Sequence, residues 1–108
     1  MRRKPGDPWE YNTDIGVLTF PPVEELFDQI LKHLRRGKRS AWDLEGPLAL
    51  RFHVSDRERL AGLKNGHRAW ENHVAWALSR LSRQKRVTKC GSETTEGGYR
   101  GIYQANSL

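Results

Sequence analysis

Residues 65–86, NGHRAWENHVAWALSRLSRQKR, leave few folds open. After Gly66 the run holds neither Gly nor Pro, and Trp70, Val74, Ala77, Leu78 and Leu81 recur at i, i+4, i+7, i+8 and i+11. That spacing lines one face of an α-helix, so a long amphipathic helix docked by this stripe is expected. His67, Arg68, Asn72, Ser79 and Arg83 are directed mostly elsewhere, and all can hydrogen-bond. A polar, cationic front of this kind suits a DNA groove and equally suits plain solvent, so the rest of the chain has to decide.

A chain of 108 residues predicts one domain with one modest core. Only 36% of residues are hydrophobic and 30% are charged, but four Trp, three Tyr and three Phe argue for a packed fold rather than disorder. Lys and Arg outnumber Asp and Glu by 19 to 13, a surplus that favours a polyanionic partner. The bland reading of that surplus is mere solubility. Cys90 is the single cysteine, so neither a disulfide framework nor a cysteine zinc site is expected. The opening MRRKPGDPW is basic without an apolar core behind it, and no apolar run reaches a membrane span. The expectation is a soluble, cytoplasmic protein.

Residues 1–20 are expected to be an N-terminal arm docking on a domain formed by residues 21–108. Pro5, Gly6, Pro8 and Gly16 argue against a long helix there, and Trp9 and Tyr11 are expected to dock. Arg2, Arg3 and Lys4 read as a frayed terminus in preference to a phosphate-reaching arm. Val23, Leu26, Phe27, Ile30, Leu31 and Leu34 predict a first helix over 21–36, stopped by Gly37. Lys32, Arg35, Arg36, Lys38 and Arg39 follow; a helix dipole accounts for two or three of these cations and a phosphate-facing corner for all of them.

Residues 40–53 read as a second helix capped by Ser40, with a kink or late start at Gly46-Pro47 and with Trp42, Leu44, Leu48 and Phe52 inward. Ser55 and Glu58 have capping-box spacing and open a short helix over about 56–62 with Leu60 and Leu63 inward. Lys64-Asn65-Gly66 is a turn. Past Gln84 the period changes: residues 86–90 and 99–104 read as two strands around a loop at 91–98. Helices followed by a terminal hairpin predict an α+β winged helix, a helix-turn-helix with a C-terminal β-hairpin wing, whose later helix enters the major groove.

Leu63-Lys64-Asn65-Gly66, then Trp70 through Leu78, then Leu81, then Arg100-Gly101-Ile102-Tyr103 resembles the Mrr-type N-terminal winged-helix domain of restriction endonucleases. The likeness in layout spans 21–104, and its distinctive part is Asn72 to Ala77. The resemblance implies double-stranded DNA binding in a restriction system, a fused or associated nuclease, and, by extension, a reader of methylated DNA bearing N6-methyladenine or 5-methylcytosine. Two positions depart from it. His73 stands where the family usually has Arg, and Lys85-Arg86 replaces a Gly-led entry into a wing that is longer here.

No catalytic centre is expected. His67 and His73 are spaced poorly for two ligands on one helix face, H-E-x-x-H is absent, and so is a phosphate-binding glycine loop. No cofactor or metal is expected either. The expected DNA contacts are Asn65, His67, Arg68, Asn72, Ser79, Arg83 and Arg100, since the first half of such a helix reads base edges and Arg and Asn pair with guanine and adenine. Asn72 has an equally weighted structural alternative, bonding to the turn backbone. For Trp76, packing on another helix or the N-terminal segment is preferred, and contact with the methyl group of a modified base is the sharper reading. Arg35, Arg36, Lys38, Arg39, Lys85 and Arg86 are the expected phosphate contacts. Thr94, Thr95 and Tyr99 could join them in the wing, where Glu93 and Glu96 oppose deep insertion. Two classes stay open: the DNA module, and a protein-interaction winged helix using Trp9, Trp42 or Trp76 as an exposed anchor, or a small transcription regulator without modification specificity. Oligomeric state is not readable.

Overall fold

A computed structural model describes residues 6–95 and 98–106, with side chains described for 6–92 and 101–106. The Arg2–Lys4 segment and Glu96 lie outside it, as do the side chains of Glu93, Thr94, Thr95, Tyr99 and Arg100. The elements run β1 (Trp9–Thr13), β2 (Gly16–Phe20), α1 (Val23–Leu34), β3 (Arg39–Ser40), α2 (Ala41–Arg51), α3 (Asp56–Leu60), α4 (Ala69–Arg83), β4 (Val87–Thr95) and β5 (Gly98–Ala105). This is an α+β fold. Helices α1 and α2 both pack on α4, and two antiparallel sheets flank them.

The α4 stripe does what its spacing requires: Trp70, Val74, Ala77, Leu78 and Leu81 have no exposed surface. All six apolar positions of α1 are buried against it. Leu44, Leu48 and Ala49 of α2 complete the helical core. Burial of these side chains is worth about 1.5–3 kcal/mol each for the larger ones, which makes the three-helix contact the main source of stability.

Polar residues set the helix starts. Ser40 Oγ accepts from Asp43 N while Asp43 Oδ2 accepts from Ser40 N, a closed capping box. Ser55 and Glu58 repeat the device at α3. Helix α2 therefore begins on its cap and runs unbroken through Pro47, correcting the expected late start. Pro47 lies on the exposed side, and its ring leaves the Asp43 carbonyl without the bond that an N–H at 47 would give. Two core assignments are also corrected. Leu60 is 59% exposed, because α3 is a single turn that buries none of its residues. Trp42 is 38% exposed, since it lies about 200° around the helix from Leu44.

Residues 9–20, expected only to dock, form a hairpin with Trp9 opposite Phe20. Trp9 and Phe20 enter the core, and Tyr11 packs against it. The C-terminal hairpin is longer than expected: residues 91–95, read as loop, continue β4, with a register shift between Lys89 and Gly91. In this sheet β5 is central, with β3 and β4 on its two sides. The expected turn at Lys64-Asn65-Gly66 forms, with Gly66 at φ +87° and Asn65 Oδ1 accepting from His67 N at 3.0 Å, and the long helix follows it from Ala69. Among the described residues no helix is long and apolar enough to cross a membrane.

Candidate nucleic-acid interface

The orientation of α4 is set from behind by the N-terminal hairpin. His73 is completely buried, and its Nε2 lies 2.6 Å from the Pro21 carbonyl, which can only accept. Nε2 therefore carries a proton, and in the neutral ring Nδ1 accepts from the Tyr11 hydroxyl at 2.9 Å. His73 is thus held between the hairpin and the residue that follows it, Tyr11 on one side and Pro21 on the other. Asp14, at the hairpin turn, grips the loop ahead of α4: its Oδ1 accepts from Gly62 N and its N donates to Gly62 O. Arg80 lies 3.5 Å from Glu24 and over the Trp9 ring, tying the far end of α4 to α1 and to the hairpin.

The opposite face of α4 is open. Asn72, Ala75, Trp76, Ser79 and Arg83 follow i, i+3, i+4, i+7 and i+11 and share that face. The first four line a shallow depression. Trp76 is 44% exposed, with its ring centroid 6.0 Å from that of Trp9. One edge rests on the N-terminal hairpin and the remainder faces out. The Asn72 carboxamide makes no hydrogen bond among the described residues, so the structural role that sequence left open for it is absent.

Asn72 and Ala75 also line a second, deeper cleft of about 200 Å³, completed by Ala41, Trp42, His67, Glu71, Gly101 and Tyr103. Four parts of the chain build it: the first turn of α2, the loop before α4, the front of α4, and β5. Arg68, the N-cap of α4, holds its guanidinium 5.2 Å above the Trp42 ring. Burial raises the Tyr103 hydroxyl above the ordinary tyrosine range. Trp42, Glu71, Gly101 and Tyr103 were not among the expected site residues. Each has an ordinary reading in its own segment, and only folding brings them together.

The expected phosphate contacts gather elsewhere. Arg35, Arg36 and Lys38 line a cleft with Gln104, Ala105 and Asn106. Asn106 also donates from Nδ2 to the Lys85 carbonyl and from its backbone to that of Arg86. One basic corner thus forms at the end of β5, sharing no lining residue with the deeper cleft. Arg39 sits in β3 and folds its guanidinium onto the Lys38 carbonyl. Nearby His33 is lowered from the usual histidine value by burial, then by Arg36, Arg39 and Lys32. Lys85 holds a left-handed backbone (φ +60°), the conformation a glycine would adopt at the entry to the hairpin. Asn65 is exposed in the turn, and Arg100 is placed by its backbone alone, opposite Glu93. No group of three or more His, Cys, Asp or Glu among the described residues could hold a metal ion.

A family model described as the Mrr N-terminal domain matches residues 24–102. No curated protein and no solved structure matches the chain.

Proposed function

The chain belongs to the Mrr N-terminal domain family, and from that premise we propose that it is a winged-helix module for double-stranded DNA, the target-sensing part of a restriction system and a reader of methylated bases. The observation that carries the reading is the exposed face of α4. Asn72, Trp76, Ser79 and Arg83 stand clear of the core on the one helix followed by a long hairpin, in a chain of net charge +6. In this reading α3 and α4 are the helix-turn-helix, β4 and β5 are the wing, and α4 lies in the major groove. Asn72, His67 and Arg68 read base edges, while Asn65, Ser79, Arg83 and Arg100 support them. Arg35, Arg36, Lys38, Arg39, Lys85 and Arg86 hold phosphates. Trp76 presents an apolar surface to the methyl group of a modified base. Cutting belongs to a fused or associated nuclease.

The test is a panel of unmodified, N6-methyladenine and 5-methylcytosine duplexes at two salt concentrations. Each phosphate contact should add about −0.9 to the slope of log affinity against log salt. Absence of binding to every duplex would refute the reading, and equal binding to all would remove the modification preference alone. The exposure of Trp42 and Trp76 also supports a second reading, a protein-interaction winged helix anchored by aromatics. That reading predicts partner binding that survives high salt and the change Arg68→Ala.

A further inference from the structure

We infer that the cleft bounded by Trp42, His67, Glu71, Asn72 and Tyr103 receives a single unstacked base, adenine or cytosine, from the bound DNA. The inference rests on the DNA-binding reading and goes beyond groove contact. A side chain that reads a base edge in the major groove needs no cavity behind it. Here there is one, and at about 200 Å³ it falls below the roughly 300–1,000 Å³ of sites for drug-sized ligands. It suits a ring rather than a larger molecule.

Its walls match a base in kind. Trp42 and Tyr103 come from α2 and β5 and supply aromatic surface, the usual platform for an unstacked base. Trp42 is not needed by the core, which takes Leu44, Leu48 and Ala49 from the same helix. Arg68, outside the cleft, holds its cation over the Trp42 ring, close enough to meet a phosphate flanking the base. Glu71 decides against a phosphate inside the cleft, because a carboxylate there repels one. A carboxylate only accepts hydrogen bonds, so it selects an occupant with N–H groups. Neither Glu71 nor Asn72 commits its side chain to a hydrogen bond or ion pair among the described residues. A carboxylate that accepts beside a carboxamide that donates complements the exocyclic amine and the adjacent acceptor ring nitrogen of adenine or cytosine; guanine presents an N–H at that ring position, and thymine has no exocyclic amine. Asn72 and Ala75 line both this cleft and the α4 front, so a base leaving a duplex laid on α4 meets the opening directly.

Unpaired bases are extruded most easily, which provides the test. Three duplexes of one sequence, differing at a single position, are compared by fluorescence anisotropy: fully matched, with an A·C mismatch, and with a T·T mismatch. The A·C duplex should bind more tightly than the matched one by about 5- to 150-fold, the range expected for stacking one base on an aromatic ring. The T·T duplex, equally unpaired but lacking amines, should stay near the matched one. Trp42→Ala should abolish the A·C preference, Trp42→Phe should keep part of it, and Glu71→Gln should reduce discrimination between A·C and T·T. Equal affinity for A·C and T·T, or an A·C preference that survives Trp42→Ala, would overturn the inference while leaving duplex binding intact. Failure to bind any of the three would instead overturn the DNA reading beneath it. Binding of free dAMP as tight as that of the A·C duplex would assign the cleft to a nucleotide and overturn the claim of a DNA base.

Discussion

Replacing Arg59 by Met should destabilise the fold by about 2–3 kcal/mol. The guanidinium of Arg59 makes two bonds to Glu45, Nε to Oε2 at 2.9 Å and Nη2 to Oε1 at 2.7 Å, and a third to Asp56. The bond to Asp56 counts for little, because that side chain is 90% exposed. Glu45 is different, with a side chain only 8% exposed. Removing the partner of a buried carboxylate costs about 3–5 kcal/mol when burial is complete. Arg59 itself is 33% exposed, so water reaches the carboxylate once the guanidinium is gone and lowers that figure. Glu45 also accepts the Trp70 indole N–H through its backbone carbonyl, so α2, α3 and α4 are joined at this one residue. Urea denaturation at neutral pH should show a lower midpoint with an unchanged slope. The double change Glu45→Leu with Arg59→Met should recover much of the loss, since an apolar pair carries no stranded charge. A loss below about 0.5 kcal/mol for Arg59→Met would refute the reasoning, as would a double variant worse than the single one.

Four further outcomes follow from particular positions. His53 occupies the left-handed position after α2 (φ +59°), where Val54 N reaches back to the Ala49 carbonyl, so His53→Gly should raise stability by about 0.5–1 kcal/mol in thermal unfolding. His33 is depressed below 6.5, so the unfolded chain binds more protons between the folded-state value and 6.5. Its contribution is full above 6.5 and is lost as pH falls through the folded-state value, and His33→Asn should flatten the urea midpoint against pH in that window. Asp14→Ala should cost about 0.5–1 kcal/mol and speed amide exchange at Gly62, whose N–H loses its acceptor. Arg83→Ala should reduce the salt slope of duplex binding by about one and leave sequence preference alone, whereas Asn72→Ala should relax preference with little change in slope.

Spacing was the reliable guide where one face of one element decides burial. The six apolar positions of α1 and the stripe of α4 lie where periodicity puts them, and the caps at Ser40 and Ser55 close as their spacing requires. Trp42 was misassigned because its size outweighed its angle. The N-terminal hairpin is only half legible: Trp9-Glu10-Tyr11-Asn12 alternates, but the strands are five residues each and the adjacent apolar pair Val17-Leu18 breaks the alternation in the second. The turn ahead of α4 is legible from local residues, since Asn65 and Gly66 are turn residues and the Asn65 side chain closes on His67 N. The deeper cleft was the least legible feature. It needs residues 41–42, 67–75 and 101–103 in one place, and local pattern carries no information about that.

The arrangement behind α4 bears on what its front can do. A helix that reads bases must hold its rotation about its own axis, because a turn of 100° exchanges one residue for the next on the exposed face. Hydrophobic packing alone permits some slippage, whereas directional bonds do not. The hairpin supplies such bonds at successive points: Asp14 at Gly62 before the helix, Tyr11 at His73 near its middle, and the Trp9 ring beneath Arg80 toward its end. The first two lie away from the open face and Trp9 meets it only along one edge of Trp76, so they fix the helix and leave most of its front free. Residues 9–20 fall outside the span matched to the family, 24–102, yet Tyr11 among them bonds His73 within it. A fully buried histidine is tolerated there because Tyr11 and Pro21 give both its ring nitrogens a partner. The N-terminal hairpin and α4 are therefore coupled at His73, because the hairpin supplies the hydroxyl that faces one of its ring nitrogens.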